Sequence, residues 1–221
     1  SVFQGFGARN TSPALWIDAL DGTISTIEVK GGTFLASIDG SIGGSVAGSI
    51  SADTSYINRL RNHTAETDPD LDLVVVQLST NDSKGQCETG VVSDSFDPAT
   101  FDEVTTTGAL EAIIAYAKET WGARVLVITG TYFEDEMTYS GGQNAEIYKT
   151  MIERCHELDE KWGDDFTVLD LWHNDAMYEN VKTGDALWRS YMSDAIHPTK
   201  KGYLEWWGPY IEAKLYEMLA D

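Results

Sequence analysis

Three short and almost continuous runs of apolar residues constrain the fold of this chain more than any other feature. The runs are Leu71 to Leu78, Val125 to Thr129 and Phe166 to Leu171. A strand with one wet face alternates apolar and polar residues, whereas a strand of a parallel sheet is covered on both faces and is apolar throughout. The three runs therefore predict buried strands of a parallel sheet.

Segments with helical spacing separate these runs. Gly108 to Trp121 carries apolar residues three and four positions apart, and Gly122 follows as a helix stop. The same patterns predict one more strand, Ile24 to Val29, and three more helices, Thr54 to Asn62, Asn144 to Trp162 and Lys200 to Leu219. This alternation predicts a single α/β domain over residues 1–221, with a three-layer, doubly wound, flavodoxin-like parallel sheet of about five strands.

The chain carries a formal net charge of −21. Such a charge repels phosphate backbones and anionic lipid headgroups, so we expect neither nucleic acid nor a membrane surface as a partner. No apolar run approaches the ~20 residues that span a bilayer, and the sequence shows no signal-peptide pattern. We therefore expect a soluble protein without membrane insertion, either cytoplasmic or secreted.

The cysteines and most histidines show no metal-site spacing. Cys87 and Cys155 lie far apart and lack the CxxC pattern of zinc and redox sites, so they either pair with each other or are both free thiols. His63, His156 and His173 show no ligand spacing with one another, and structural roles are expected for them. The sequence therefore predicts no metal site.

The glycine- and serine-rich stretch from Gly40 to Ser51 invites comparison with a phosphate-binding loop. It lacks the Lys-Ser/Thr ending of a Walker motif and does not lie between a clear strand and a clear helix. We expect a surface loop there and no nucleotide cofactor.

Asp194 and His197 stand three residues apart in the segment DAIHP. On a turn, the carboxylate can fold back onto the imidazole, fix one tautomer and leave the other ring nitrogen free to act as a base. The plainer interpretation is that Asp194 caps a turn and His197 is a surface histidine. The pair alone does not decide between these interpretations.

Two further polar segments follow predicted strands. Asn81 lies in STND, directly after the run Leu71 to Leu78, and ligands of open α/β sheets bind beyond the carboxyl ends of strands. Its amide can donate to a developing oxyanion, or the Asn-Asp pair simply forms a turn. Gly32, in KGGT after the first predicted strand, either lets its backbone N–H approach a ligand or is an ordinary loop glycine.

Ser1, in the segment SVFQG, is the candidate nucleophile, because a serine followed by a turn and a helix can point its N–H at the oxyanion. Ser41 is a weaker candidate, since it lies only about forty positions before Asn81 and the glycine segment KGGT would then no longer lie between the nucleophile and Asn81. An N-terminal serine can also use its own α-amine as base. That mechanism needs neither Asp194 nor His197, and it belongs to layered antiparallel sheets.

Together the four segments resemble the SGNH hydrolase family, also called the GDSL lipase/esterase family, over essentially the whole chain. SVFQG resembles the first family block, KGGTFLA the second, STND the third (Gly-x-Asn-Asp) and SDAIHP the last (Asp-x-x-His-Pro). The resemblance implies a catalytic triad of Ser1, His197 and Asp194. It also implies that Ser1, Gly32 and Asn81 form the oxyanion hole.

Two positions depart from the family pattern. Ser79 replaces the glycine of the third block. The Gly-Asp pair and the strand that precede the nucleophile in the family have no counterpart before Ser1. Either these residues belong to a segment upstream of residue 1 or Ser1 is not the nucleophile, and we expect residues 1–221 to lack the first strand of the sheet.

The resemblance implies a serine esterase that works by two-step acyl transfer without a metal or an organic cofactor. The shallow, open site typical of the family favours short acyl groups, so the expected partners are acetyl or similar esters of a carbohydrate or a small alcohol. The alternative is a non-catalytic carbohydrate-binding or interaction module on the same fold.

Overall fold

The computed structural model describes residues 33–38, 40–41, 49–133, 144–174, 186–194 and 196–219. The chain divides into two compact units, each assembled from separate stretches of sequence. The sheet unit comprises residues 32–129 and 141–168, and the C-terminal unit comprises residues 1–31, 130–140 and 169–221. The chain therefore passes between the two units four times.

The sheet unit opens with two very short strands in the glycine- and serine-rich stretch. Strand β1 (Gly40–Ser41) pairs antiparallel with β2 (Ser49–Ile50). A single 3-10 turn at Ala52–Thr54 then leads into helix α1 (Tyr56–Leu60), which the Ser55 hydroxyl caps by accepting the Asn58 N–H. The stretch expected to be a surface loop is thus paired at its two ends.

Three strands form the central sheet of this unit, in the order β3 (Leu73–Gln77), β4 (Arg124–Ile128) and β5 (Phe166–Leu169). β3 and β4 are parallel, with Leu73 opposite Arg124 and Gln77 opposite Ile128. The prediction of a parallel sheet is confirmed, and the ends of the apolar runs coincide with the ends of the three strands to within two residues.

Burial follows the position of each strand in the sheet. The middle strand β4 is buried from Val125 to Ile128, whereas Val75 of β3 is 40% exposed. Among the described residues β3 is an edge strand, which explains why it is less covered than its apolar sequence predicts. The described part of the chain holds three of the roughly five expected strands, and the predicted strand Ile24 to Val29 lies outside it.

Three helices accompany this sheet: α2 (Thr80–Lys84), α3 (Thr106–Trp121) and α4 (Ala145–Trp162). α3 packs on β4 and on α4. It begins at the Thr105 cap and ends at Gly122, whose φ of 70° is the left-handed conformation that glycine adopts without strain. α4 is capped by the Asn144 side chain, so the predicted helix boundaries are correct to within two residues.

The described helices of the C-terminal unit are α5 (Ala186–Tyr191) and α6 (Gly208–Leu219), with a π-helical turn at Gly202–Trp207 before α6. The predicted closing helix is confirmed, and the π-helical turn was not predicted. Trp206 and Trp207 are both buried in this turn. None of the helices within the described ranges has the length and apolar character needed to cross a bilayer.

Cys87 and Cys155 are both free thiols, and both are buried. This result decides between the two alternatives that the sequence left open. Burial, together with the nearby charge of Asp82, raises the pKa of the Cys87 thiol to about 12. The thiol is therefore protonated at neutral pH and packs as an apolar group.

Candidate active site

Asp194 and His197 form a hydrogen-bonded pair in the loop that follows α5. The ring nitrogen Nδ1 of His197 lies 2.8 Å from Asp194 Oδ2 and 3.0 Å from Oδ1. The backbone N–H of His197 also donates to Asp194 Oδ1, at 2.7 Å. Within the described part of the chain, Nδ1 is the only ring nitrogen of His197 with a hydrogen-bond partner. The contact favours the tautomer in which Nε2 can accept a proton.

The loop that carries this pair is closed across its base. The N–H and the hydroxyl of Ser193 both donate to the His197 carbonyl oxygen, at 2.8 and 2.7 Å. Met192 and Pro198 form an antiparallel bridge between the two arms of the loop. These contacts close the loop, so Asp194 and His197 stay close to each other independently of the contact between their side chains.

Gly202 packs the outgoing arm of the loop against the end of α5. A Cβ atom at this position would lie 2.0 Å from the carbonyl oxygen of Tyr191 and 3.0 Å from the Cβ of Pro198. The same Tyr191 oxygen accepts the Thr199 N–H at 2.7 Å, and the Thr199 hydroxyl accepts the Gly202 N–H at 3.1 Å. Only glycine allows the two backbone segments to approach this closely.

The Asp194 carboxylate is a fixed negative charge behind the imidazole. Partial burial would raise its pKa, but hydrogen bonds from the His197 ring and from the N–H groups of His197 and Ile196 outweigh that effect and lower it. Tyr203 is buried beside it; burial raises the pKa of the phenol, and the charge of Asp194 raises it further. An ionised carboxylate on Nδ1 is the arrangement that stabilises an imidazolium during proton transfer.

Residues that follow β4 and β5 pack within the same C-terminal unit as the loop. The Thr131 hydroxyl, three residues beyond β4, contacts the sulfur of Met192 at 4.0 Å. Trp172, three residues beyond β5, packs against Tyr132 and Phe133 with ring centroids 5.0 and 4.6 Å apart. Met192 is buried, so this contact supports the loop directly before Asp194.

Asn81 lies in the sheet unit, one residue into α2 and directly beyond the carboxyl end of β3. Its side-chain Nδ2 donates to the Thr33 carbonyl oxygen at 3.1 Å. A carboxamide nitrogen carries two hydrogens, so the side chain can keep this bond and still donate a second one to an oxyanion. The contact thus orients Asn81 without using up its capacity to donate.

Asp82, the next residue, is fully buried. Its two carboxylate oxygens accept the backbone N–H groups of Leu35 and Ala36, each at 2.9 Å. Burial raises the pKa of Asp82 to about 6, although hydrogen bonds from the Ser79 hydroxyl and from the two N–H groups act in the opposite direction. The sequence interpretation gave Asp82 only a turn or capping role, and the buried carboxylate is a finding of the structure.

The structure places some of the predicted site residues and not others. It brings Asp194 and His197 into contact, and it describes Asn81 within the sheet unit. Ser1 and Gly32, the predicted nucleophile and backbone oxyanion donor, lie outside the described residues. The catalytic role of all five residues stays a prediction.

A second Asp–His pair has the same geometry as the first. His173 Nδ1 lies 2.6 Å from Asp170 Oδ2, and the His173 N–H donates to Asp170 Oδ1 at 3.0 Å. The two histidine side chains are almost equally exposed, 51% for His173 and 49% for His197. The sequence predicts only a structural role for His173, and the Asp-x-x-His spacing that it shares with His197 is the signal that could have identified this pair.

With this geometry in place, comparison with known proteins assigns the chain to a class. The model of the GDSL-like lipase/acylhydrolase family matches residues 2–204. The chain belongs to that family, and it is an ester hydrolase. No curated protein sequence matches it.

Several solved structures share the fold. A Lactobacillus plantarum protein superposes with a TM-score of 0.65 at 19% identity, over 100% of this chain and 92% of the other. A carbohydrate acetylesterase family member from Sinorhizobium meliloti gives 0.57 at 15% identity, over 97% and 89%. A carbohydrate esterase family 2 enzyme with a carbohydrate binding domain, from Corynascus thermopiles, gives 0.53 at 16% identity, over 96% and 57%. Identities this low establish the fold alone.

Proposed function

We propose that this ester hydrolase is a serine esterase with Ser1, His197 and Asp194 as its triad and with Ser1, Gly32 and Asn81 as its oxyanion donors. The observation that carries the proposal is the Asp194–His197 pair, in which an ionised carboxylate holds Nδ1 of a half-exposed imidazole. The sequence blocks around Ser1, Gly32 and Asn81 support the remaining assignments through their resemblance to the family.

The proposed reaction proceeds in two acyl transfers. Nε2 of His197 takes the proton of the Ser1 hydroxyl as its oxygen attacks the ester carbonyl carbon, and the alcohol leaves with that proton. His197 then deprotonates a water molecule, which attacks the acyl-enzyme and releases the acid and free Ser1. Asp194 remains ionised throughout and stabilises the imidazolium.

We propose short acyl esters, such as acetyl groups on a carbohydrate or a small alcohol, as the substrates. Two structures with the same fold carry a carbohydrate acetylesterase and a carbohydrate esterase description, which supports this class. The net charge of −21 disfavours polyanionic substrates by repulsion.

The decisive test compares His197→Ala with His173→Ala in the hydrolysis of p-nitrophenyl acetate. His173→Ala is a matched control, because the two histidines have the same carboxylate contact and nearly the same exposure. We expect His197→Ala to lower kcat by about 10³-fold or more, since the proton acceptor is lost. We expect His173→Ala to keep kcat within about twofold. Equal rates for wild type and His197→Ala would contradict the proposal.

The nucleophile is identified in the same proteins with a serine-directed phosphonate ester and peptide mapping. We expect the label on Ser1, with slow labelling in His197→Ala because the base that activates the hydroxyl is absent. A label on a different serine would remove Ser1 from the triad and leave the Asp–His pair in place.

A further inference from the structure

Two consecutive residues at the start of α2 hold one stretch of backbone at three points. Asn81 donates to the carbonyl oxygen of Thr33, and the Asp82 carboxylate accepts the N–H groups of Leu35 and Ala36. Residues 33–36 are buried throughout. These three hydrogen bonds form a clamp on residues 33–36, a stretch that in the sequence directly follows Gly32, the predicted backbone oxyanion donor.

The Asp82 carboxylate is unusual among buried charges because no cation hydrogen-bonds to it within the described residues. Glu111 of α3 shows the common solution. It is also buried, and it pairs with Lys161 at 2.5 Å while accepting the Ser93 N–H. An unpaired buried carboxylate costs desolvation free energy that an ion pair partly offsets. Burial of the Asp82 carboxylate therefore costs folding free energy, which indicates that Asp82 has another role.

We propose that Asp82 is a positioning residue of the oxyanion hole: its carboxylate fixes the backbone of residues 33–36, and through Thr33 it fixes the orientation of the Asn81 amide. The inference rests on the proposed function, because it assigns Asn81 to the oxyanion. A donor set that is fixed before the reaction stabilises the developing charge without reorganisation. Loss of the clamp lowers kcat and leaves substrate binding largely unchanged.

Ser79, the residue that departs from the family pattern, serves the same clamp. Its side-chain oxygen accepts the Asp82 N–H at 3.3 Å and caps α2. The Ser79 hydroxyl also lowers the pKa of the Asp82 carboxyl group and so favours its ionised form. The ionised form has two acceptor oxygens for two N–H groups, whereas a protonated carboxyl has a donor in place of one acceptor.

The test compares Asp82→Asn with Glu111→Gln, a matched change from a buried carboxylate to the isosteric amide at a site that does not touch residues 33–36. Two quantities are measured per folded protein: amide hydrogen exchange of the peptide containing Leu35 and Ala36, and kcat with KM for p-nitrophenyl acetate. In Asp82→Asn we expect faster exchange of these amides and a kcat about 10- to 100-fold lower, with KM within about threefold. In Glu111→Gln both quantities stay at the wild-type value.

Ser79→Gly is the second variant and carries the test if Asp82→Asn does not fold. It leaves the carboxylate in place and removes the side-chain oxygen that accepts the Asp82 N–H and caps α2, so we expect a two- to fivefold lower kcat at unchanged KM. An active enzyme in which these variants keep wild-type kcat overturns this inference alone. An equal loss of kcat in Glu111→Gln overturns it too, because the effect is then general destabilisation. A wild type no faster than His197→Ala overturns the proposed function, and this inference with it.

Discussion

At the scale of single residues, Asp82 and Asp194 show two opposite ways to keep a carboxylate ionised. Asp194 stays half-exposed and collects hydrogen bonds from one histidine and its neighbouring N–H groups, so its pKa falls below the usual range. Asp82 is fully buried, and its hydrogen bonds only partly compensate for the lost water, so its pKa rises to about 6. The first carboxylate stabilises the fold when ionised, whereas the second costs stability.

The pH dependence of stability should reveal the cost of ionising Asp82. A carboxyl group whose pKa is raised by folding binds more protons in the native state than in the unfolded state. Its contribution to the free energy of unfolding is therefore fully present below about pH 4 and is lost as the pH rises through 6. We expect the wild type to lose roughly 3 kcal/mol relative to Asp82→Asn between about pH 4 and 7.

Urea unfolding of both proteins across this pH range measures that difference directly. Asp82→Asn has no titrating group at this position, so all other carboxyl groups cancel in the comparison. A difference in unfolding free energy that does not change with pH would show that Asp82 keeps its ordinary pKa in the folded protein.

At the scale of elements, the loop between α5 and α6 depends on backbone contacts more than on side chains. Its arms are joined by the Ser193 donations to His197 and by the bridge between Met192 and Pro198. A π-helical turn, a feature often found at functional sites, begins at Gly202 where this loop returns to the helix. Small displacements of the arms would therefore move the Asp–His pair as a unit.

Gly202→Ala tests this dependence, and Gly108→Ala is its matched control. A Cβ atom would meet a backbone carbonyl oxygen at 2.0 Å in the first case and at 2.2 Å, on Asp102, in the second. We expect both variants to lose about 1–3 kcal/mol of unfolding free energy, measured by urea titration. Only Gly202→Ala should also lower kcat at least tenfold, because it shifts the loop that carries His197.

The two variants separate stability from geometry. If Gly108→Ala lost as much kcat per folded molecule as Gly202→Ala, the contacts of the loop would not be what positions the histidine. Wild-type kcat in Gly202→Ala would lead to the same conclusion.

Sequence patterns predicted the elements well and the site only in part. Continuous apolar runs identified β3, β4 and β5, and the helical spacing of apolar residues identified α3 and α4, because these signals are local. The role of Asp82 depends on Leu35 and Ala36, 47 and 46 residues away, and no local pattern reports such a contact. The π-helical turn likewise follows from close packing of the loop rather than from residue propensity.

At the scale of the whole molecule, the family match over residues 2–204 runs through both compact units. Neither unit is a continuous piece of chain, because stretches of the two units alternate along the sequence. The chain therefore crosses between the two units four times. The single-domain prediction for residues 1–221 therefore stands as a proposal with a thermodynamic consequence.

Scanning calorimetry should show one cooperative transition, with a ratio of calorimetric to van't Hoff enthalpy of about 1. The physical reason is that stretches of the two units alternate along the sequence. Unfolding one unit therefore releases the ends of the stretches that form the other unit. Two resolved transitions, or a ratio well above 1, would show instead that the units unfold independently and that the chain has two domains.

The duplicated Asp–His geometry gives the protein its own spectroscopic reference. The ring N–H protons of His173 and His197 both point at a carboxylate, and the two side chains have similar exposure. We therefore expect the two protons to have similar NMR chemical shifts. If the proposed triad is right, a covalent inhibitor on Ser1 changes the surroundings of the His197 imidazole and leaves those of His173 unchanged. The separation between the two resonances then reports events at His197 while changes of buffer, salt and temperature, which affect both rings alike, cancel.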